Sequence, residues 1–318
     1  LPRPLTIVAD DYGIGHATSR GILELALEGR ITAAVLLVNC PDAERAARAW
    51  LAADPPADLG WHPNLTLDRP IRPPAEVPSL VRPDGTFWPL SAFLRRVCLG
   101  RVRATDVMAE WRAQYWRFVE LVGRPPDVVN SHQHVSLFRP CDDALMEVLT
   151  GQAERPYVRR VVERWNTLVR VPGARFKRAM LTALGRRAAM RAAGFGFPGN
   201  DWLAGVTDPA CVADGRFWVR WLAVLPRAGS VEICCHPGYR DATLVGRDCD
   251  GGDGLFRRPR ELALLRAESF GEACERAGLV PTRPSKRGAR WSPNQCDATV
   301  ALASRVGLRL TGAPAGGD

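Results

Sequence analysis

Leu5-Thr6-Ile7-Val8-Ala9-Asp10-Asp11-Tyr12-Gly13 is a short β-type run that stops on two adjacent carboxylates and a turn glycine. Such a run reads as a buried strand, because a strand covered on both faces needs no polar alternation. The residues that follow repeat the theme. Helical spacing fills 19–28, a second strand is expected over 31–38 with a helix over 42–53 behind it, and Asp58-Leu59-Gly60-Trp61-His62 reads as a third strand. Farther along, helices are expected over 106–121, 175–193 and 217–225, and strands over 127–131 and 157–162, with Val231-Glu232-Ile233-Cys234-Cys235 the last clear strand. Strands alternating with helices imply βα units around a parallel sheet, hence an α/β fold. The proline-rich stretch 67–90, with its turn Arg82-Pro83-Asp84-Gly85, is expected to be a long surface loop near the strand ends, and 194–202 an irregular connector. One domain over 1–282 is expected, followed by a basic, linker-like tail over 283–318 that ends in a disordered stretch.

The chain has 46% hydrophobic and 24% charged residues, an ordinary globular balance that excludes disorder as the general state. No run approaches the roughly 18 apolar residues of a membrane span. The first residues lead straight into a strand, so a cytoplasmic protein is expected. Nine cysteines, scattered without a metal-binding spacing, read as reduced and mostly buried small hydrophobes. The formal charge of +9 is almost wholly arginine, Lys177 and Lys286 being the only lysines. The densest clusters, 159–191 and 257–266, carry no nucleic-acid signature and read as solvated basic faces, with weak attraction to an anionic substrate or membrane surface left open.

The chain has five histidines, His16, His62, His132, His134 and His236, and four of them fall at the ends of expected strands. In α/β sheets the carboxyl ends of the strands are where sites assemble. Asp10 and Asp11 stand at the same kind of position, and two neighbouring carboxylates repel unless a cation or proton lies between them. The simpler alternative for one of them is a helix cap. His132 and His134 are two apart, so if strand geometry persists both project from one face, and either completes a set of two imidazoles and a carboxylate that leaves metal positions open. His236, held by the turn residues Pro237 and Gly238, is a candidate general acid or transition-state donor. Trp61, Trp88 and Trp202 are candidates to stack on a sugar ring, against the simpler reading that they pack the core.

With these residues in view, the chain resembles the ChbG/HpnK (YdjC-like) carbohydrate deacetylase family over about 6–265. Thr6-Ile7-Val8-Ala9-Asp10-Asp11-Tyr12-Gly13 is similar to its opening strand, and Leu59-Gly60-Trp61-His62-Pro63-Asn64-Leu65-Thr66 to its Gly-x-His-x-Asn-Leu block. Asn130-Ser131-His132-Gln133-His134-Val135 resembles its His-x-His block, and Glu232 to Gly238 its closing Glu-x-x-x-His-Pro-Gly segment. The resemblance implies a distorted (β/α) barrel, a single domain with irregular insertions. It also implies one divalent metal ion, Zn2+ or Mg2+, on Asp11, His62 and His132, with Asp10 as catalytic base. Asn130, Ser136 and Pro63 depart from the commonest family residues around the implied ligands, which bears on the substrate more than on the reaction.

The function expected is therefore hydrolysis of the N-acetyl group of an amino sugar by metal-activated water, with His236, or failing it His134, protonating the departing amine. The expected partner is a small-molecule or glycolipid substrate carrying that sugar, with no nucleic acid; a homodimer stays open. An O-acetyl carbohydrate esterase is the rival within enzymes. A catalytically silent metal- or sugar-binding protein is the rival outside them, and the presence of Asp10 speaks against it.

Overall fold

The structure, a computed structural model, describes residues 2–286. Its centre is β1 (Arg3–Tyr12), buried without interruption from Leu5 onward. A strand apolar on both faces is stable only with neighbours on both edges and helices over both surfaces, and the rest of the chain supplies them. In order come α1 (His16–Leu27), β2 (Ala33–Leu36), α2 (Ala43–Ala53), β3 (Asp58–Trp61), α3 (Leu90–Cys98), α4 (Ala104–Val122) and β4 (Val128–Val129). Next are α5 (Cys141–Thr150), β5 (Tyr157–Val158), α6 (Trp165–Arg170), α7 (Arg175–Gly194), β6 (Trp202–Ala204) and α8 (Phe217–Val224). The described chain closes with β7 (Val231–Cys235), α9 (Asp253–Arg266), α10 (Glu268–Arg276) and β8 (Leu279–Pro281).

The strands run in the order β5-β4-β3-β2-β1-β7-β6, all pairs parallel, with β8 pairing the first residues of β1. The two outer strands do not form a ladder with each other. They are stitched by backbone bonds from their flanks, Val158 N–H to Pro198 O at 2.8 Å and Leu203 N–H to Val162 O at 2.9 Å. The result is a distorted (β/α) barrel. Past β8 the chain stays on the barrel: Thr282 N–H bonds Leu5 O at 2.8 Å, and Arg283 and Ser285 meet the buried carboxylate of Asp58 at 2.7 Å. The rest of the expected tail, 287–318, lies outside the described residues.

Several expected elements differ in extent. The strands anticipated over 127–131 and 157–162 are two-residue pairs, because the chain bends into the mouth directly after Val129 and Val158. Strand β6, Trp202–Ala204, begins on the last residue of the expected irregular connector, and β8 follows what was read as the last strand; both are three residues long, too short to show a period. The 67–90 stretch stays irregular but is pinned rather than loose, since buried Glu110 accepts from the backbone of Ile71 and Arg72 at 2.9 and 3.0 Å. Among the described residues no helix is long and apolar enough to cross a membrane.

Gly60 in β3 is fixed by packing: a Cβ there would stand 2.1 Å from Val128 O on the neighbouring strand. Gly60→Ala should therefore force the β3–β4 pair apart and destabilise the fold by roughly 2–3 kcal/mol. A thermal melt unchanged from the parent would refute that reading.

Candidate active site

Neighbouring residues of a strand normally face opposite sides of the sheet. At the end of β1 this alternation breaks, because the register against β2 shifts between Ala9 and Tyr12 and Asp11 takes a positive φ of 67°. Aspartate is among the few side chains that tolerate the left-handed region. This bulge turns the carboxylates of both Asp10 and Asp11 into one cavity at the carboxyl ends of the strands, about 190 Å³ in volume, which His62, His132, His134 and His236 also line. His16, the fifth histidine, is exposed at the start of α1.

Asp11, His62 and His132 offer ligand atoms that all lie within 4.8 Å of one another, and all three residues are buried. Asp11 Oδ1 stands 3.3 Å from His62 Nε2 and 2.9 Å from His132 Nδ1, while Arg258 donates to its other oxygen at 2.7 Å. The protonation of this set follows from Asn130. Its amide Nδ2 bonds a carboxylate oxygen of Asp10 at 3.0 Å, and a carboxylate only accepts, so the amide oxygen must face the other way, where it meets His62 Nδ1. That nitrogen therefore carries the proton. In the neutral ring His62 Nε2 then turns a lone pair toward Asp11 Oδ1, an arrangement that a cation between the two atoms would relieve. His132 Nε2 is buried with no hydrogen-bond partner. A carboxylate, two imidazoles and an orphaned ring nitrogen fit a divalent ion.

Asp10 is built differently. Arg159 grips both its oxygens, at 2.6 and 2.8 Å, and reaches on to Glu232; the Cys234 thiol donates to Asp10 Oδ2 at 3.2 Å. Burial alone would raise the Asp10 carboxyl, but Arg159, joined by His62 and His236, outweighs it and holds the group well below the usual carboxylate range. Asp11 is likewise driven up by burial, and Arg258, His132 and His62 together bring it well below that range. Burial pushes the Cys234 thiol up, so it stays a thiol. Across the cavity His236 Nε2 lies 3.9 Å from Asp10, and Arg257 contacts His236 Nδ1 at 3.0 Å. A guanidinium can only donate, so Nδ1 accepts and Nε2 carries the proton. Burial and then Arg257 hold His236 well below its ordinary value, and burial, Arg159 and Lys177 push His134 down to about 3.

The same-face expectation for His132 and His134 does not hold. The strand has ended at Val129, and Gln133 and His134 take positive φ values of 52° and 57° inside a tight turn. The turn sends His132 to Asp11 and leaves His134 nearer Arg159 and Lys177. The basic clusters are not simply solvated faces either. Arg159, Arg178 and Arg258 are buried on carboxylates, Arg159 directly after β5 and the other two on the inward faces of α7 and α9. Sequence reasoning missed Arg159, Arg258, the cavity-lining Asp248 that accepts from Arg258 at 2.8 Å, and the part played by Cys234. The only signal for Arg159 was its charge inside the strand expected over 157–162. Trp61, Trp88 and Trp202 do not line the cavity. Trp61 is fully buried against Tyr115, Arg96 lies over Trp88, and Trp202 bonds Ala228 O at 3.0 Å at the start of its strand, away from the mouth.

A family model described as YdjC-like protein matches residues 4–276. A carbohydrate deacetylase of Geobacillus stearothermophilus is 33% identical over 269 residues, covering 83% of this chain and 90% of its own. Another from Enterococcus faecalis is 36% identical over 285 residues, covering 87% of this chain and 95% of its own. Among solved structures, an E. faecalis protein provisionally described as a cellobiose-phosphate cleavage protein superposes with a TM-score of 0.69 at 26% identity. The match covers 89% of this chain and 98% of that one.

Proposed function

This chain belongs to the YdjC-like protein family, and on that premise we propose that it is a metal-dependent carbohydrate deacetylase that removes the N-acetyl group of an amino sugar. The observation that carries the reading is the convergence of Asp11, His62 and His132, with His62 Nε2 3.3 Å from Asp11 Oδ1, beside a second carboxylate in one cavity. Asp11, His62 and His132 would hold the ion, and two imidazoles favour Zn2+ over the harder Mg2+. Once bound, such an ion acts as a Lewis acid toward water and the acetyl carbonyl.

The chain's own groups do the rest. Asp10, kept ionised by Arg159, takes a proton from the attacking water and later returns it to the departing amine as the C–N bond breaks. The strong pull of Arg159 makes protonated Asp10 a ready donor for that second transfer. His236, neutral and with its proton on Nε2, donates a hydrogen bond to the charge developing on the acetyl oxygen. Arg257 enforces that tautomer and so argues for this part rather than for a general acid.

His236→Ala should lower kcat by about 10²–10³ on an N-acetyl sugar and on an activated aryl acetate alike, because both reactions build charge on the same oxygen. A loss confined to the sugar amide would instead return the acid role to His236. The function itself is tested by mass-spectrometric screening for acetyl loss from N-acetylglucosamine oligomers, glycolipids and amino-sugar metabolites, with O-acetyl sugars beside them. Turnover of the O-acetyl sugars alone would make the protein an esterase. No acetyl loss from any of them by metal-loaded protein would make it a binding protein.

A further inference from the structure

The surface beside the mouth is unlike the rest of the chain. Between Arg159 and Phe195 there are nine arginines and one lysine but a single carboxylate, Glu163, and that one is buried on Arg178. Arg164, Arg170, Arg175 and Arg186 are exposed, and no ion pair joins them to a carboxylate among the described residues. Basic side chains alone would make an ordinary solvated face. Here they flank apolar groups that water should not see.

The outward stripe of α7 runs through Phe176, Met180, Ala183, Arg187 and Met190, at helical spacings of four and three. Phe176 is 86% exposed, Met190 71% and Met180 40%. Arg187 is the one charged member, 3.7 Å from Asp142. The short helix α6 adds Trp165, 69% exposed, and Val169, 51% exposed, one turn apart. Helical surfaces facing water are normally polar, and a run of large apolar side chains rimmed by cations marks an interaction surface. Its place is informative too. Lys177, next to Phe176, lines the catalytic cavity, and so does Arg257, next to the exposed Phe256, whose ring lies under Arg240 and Arg260.

We propose that the α6–α7 face is a docking surface for an anionic lipid bilayer. Apolar side chains at the crest suit the boundary between acyl chains and headgroups, and the surrounding guanidinium groups suit lipid phosphates. A second copy of this chain would bring like charge against like charge, and nucleic acid would leave the apolar crest without a partner. The docking does not depend on the reaction assigned above. It sets the mouth of the barrel toward the membrane.

Co-sedimentation of the full chain with vesicles tests this. With equal parts phosphatidylglycerol and phosphatidylcholine the protein should pellet at low salt, and with phosphatidylcholine alone it should stay in solution. Phe176→Ser with Met190→Ser should weaken binding by an order of magnitude or more. Arg164→Gln, Arg170→Gln and Arg175→Gln should weaken it roughly fivefold each. These side chains are exposed, so the variants should melt like wild type, and a circular dichroism melt checks it. Binding that survives both sets of substitutions overturns the proposal, as does absence of binding in wild type. A concentration-dependent dimer abolished by Phe176→Ser would assign the surface to a second copy instead, and equal retention on immobilised DNA, insensitive to Phe176→Ser, would assign it to nucleic acid.

Discussion

Asp10→Asn is expected to lower kcat/KM for an N-acetyl sugar by about 10²–10⁴, the range for loss of a group that moves protons in the transition state. The amide is close in size to the carboxylate, and Asp10 is not among the three residues grouped for the ion, so metal content should stay near that of wild type. The structure adds a second effect. Arg159 is buried on Asp10, and an amide cannot neutralise it, which leaves Glu232 as its remaining counter-charge. Removing one partner of a buried pair costs about 3–5 kcal/mol, so the variant should also melt several degrees lower. Activity, melting temperature and bound metal measured on one preparation separate the effects. A variant that keeps more than a tenth of wild-type activity removes Asp10 from the proton path. One that loses its metal gives Asp10 the part of a ligand.

The second large effect concerns the ion. Wild-type protein should carry about one divalent ion per chain, and a variant with alanine at Asp11, His62 and His132 should carry close to none. Chelation should abolish turnover and added zinc should restore it. Asn130→Ala leaves all three groups in place but removes the amide that fixes the His62 tautomer, and affinity for the ion should fall by 10- to 100-fold. Elemental analysis that finds equal metal in wild type and the triple variant would overturn the grouping. Unchanged affinity in Asn130→Ala would show that the ring is oriented by something other than the amide.

Much of this is legible in the amino-acid sequence. The apolar run 5–9 and the period-3.6 helices fixed the α/β class, and strand-end positions picked out all the histidines that line the cavity. What stayed hidden was whatever depended on a break in regularity or on contacts across the barrel. The bulge at Asp10 and Asp11 leaves no periodic trace, and nothing in the His132-Gln133-His134 spacing shows that the backbone turns into αL there instead of keeping strand geometry. Arg159 and Arg258 were invisible for a different reason: in so arginine-rich a chain nothing local distinguishes an arginine that neutralises a buried carboxylate from one in solvent. Cys234 looked like a small hydrophobe in an apolar strand, and only the neighbouring strand shows that its thiol faces Asp10. Asn130 read as a departure in substrate preference, whereas the geometry makes it the group that sets the protonation of His62.

The placement of β1 also governs when the site can come into being. Asp10 bonds residues 120, 149 and 224 positions farther along, and Asp11 meets Arg258 247 positions away. Contacts of such high contact order form slowly, because the entropy of closing long loops is lost before the contact repays it. As the chain emerges from the ribosome, its first strand can pair early with β2, but the edge that will hold β7 stays open until most of the protein has been made. Two adjacent aspartates spend that interval without their guanidinium partners. The nascent chain thus passes through a stage with an unpaired apolar strand at its core, the kind of species that invites aggregation and chaperone capture.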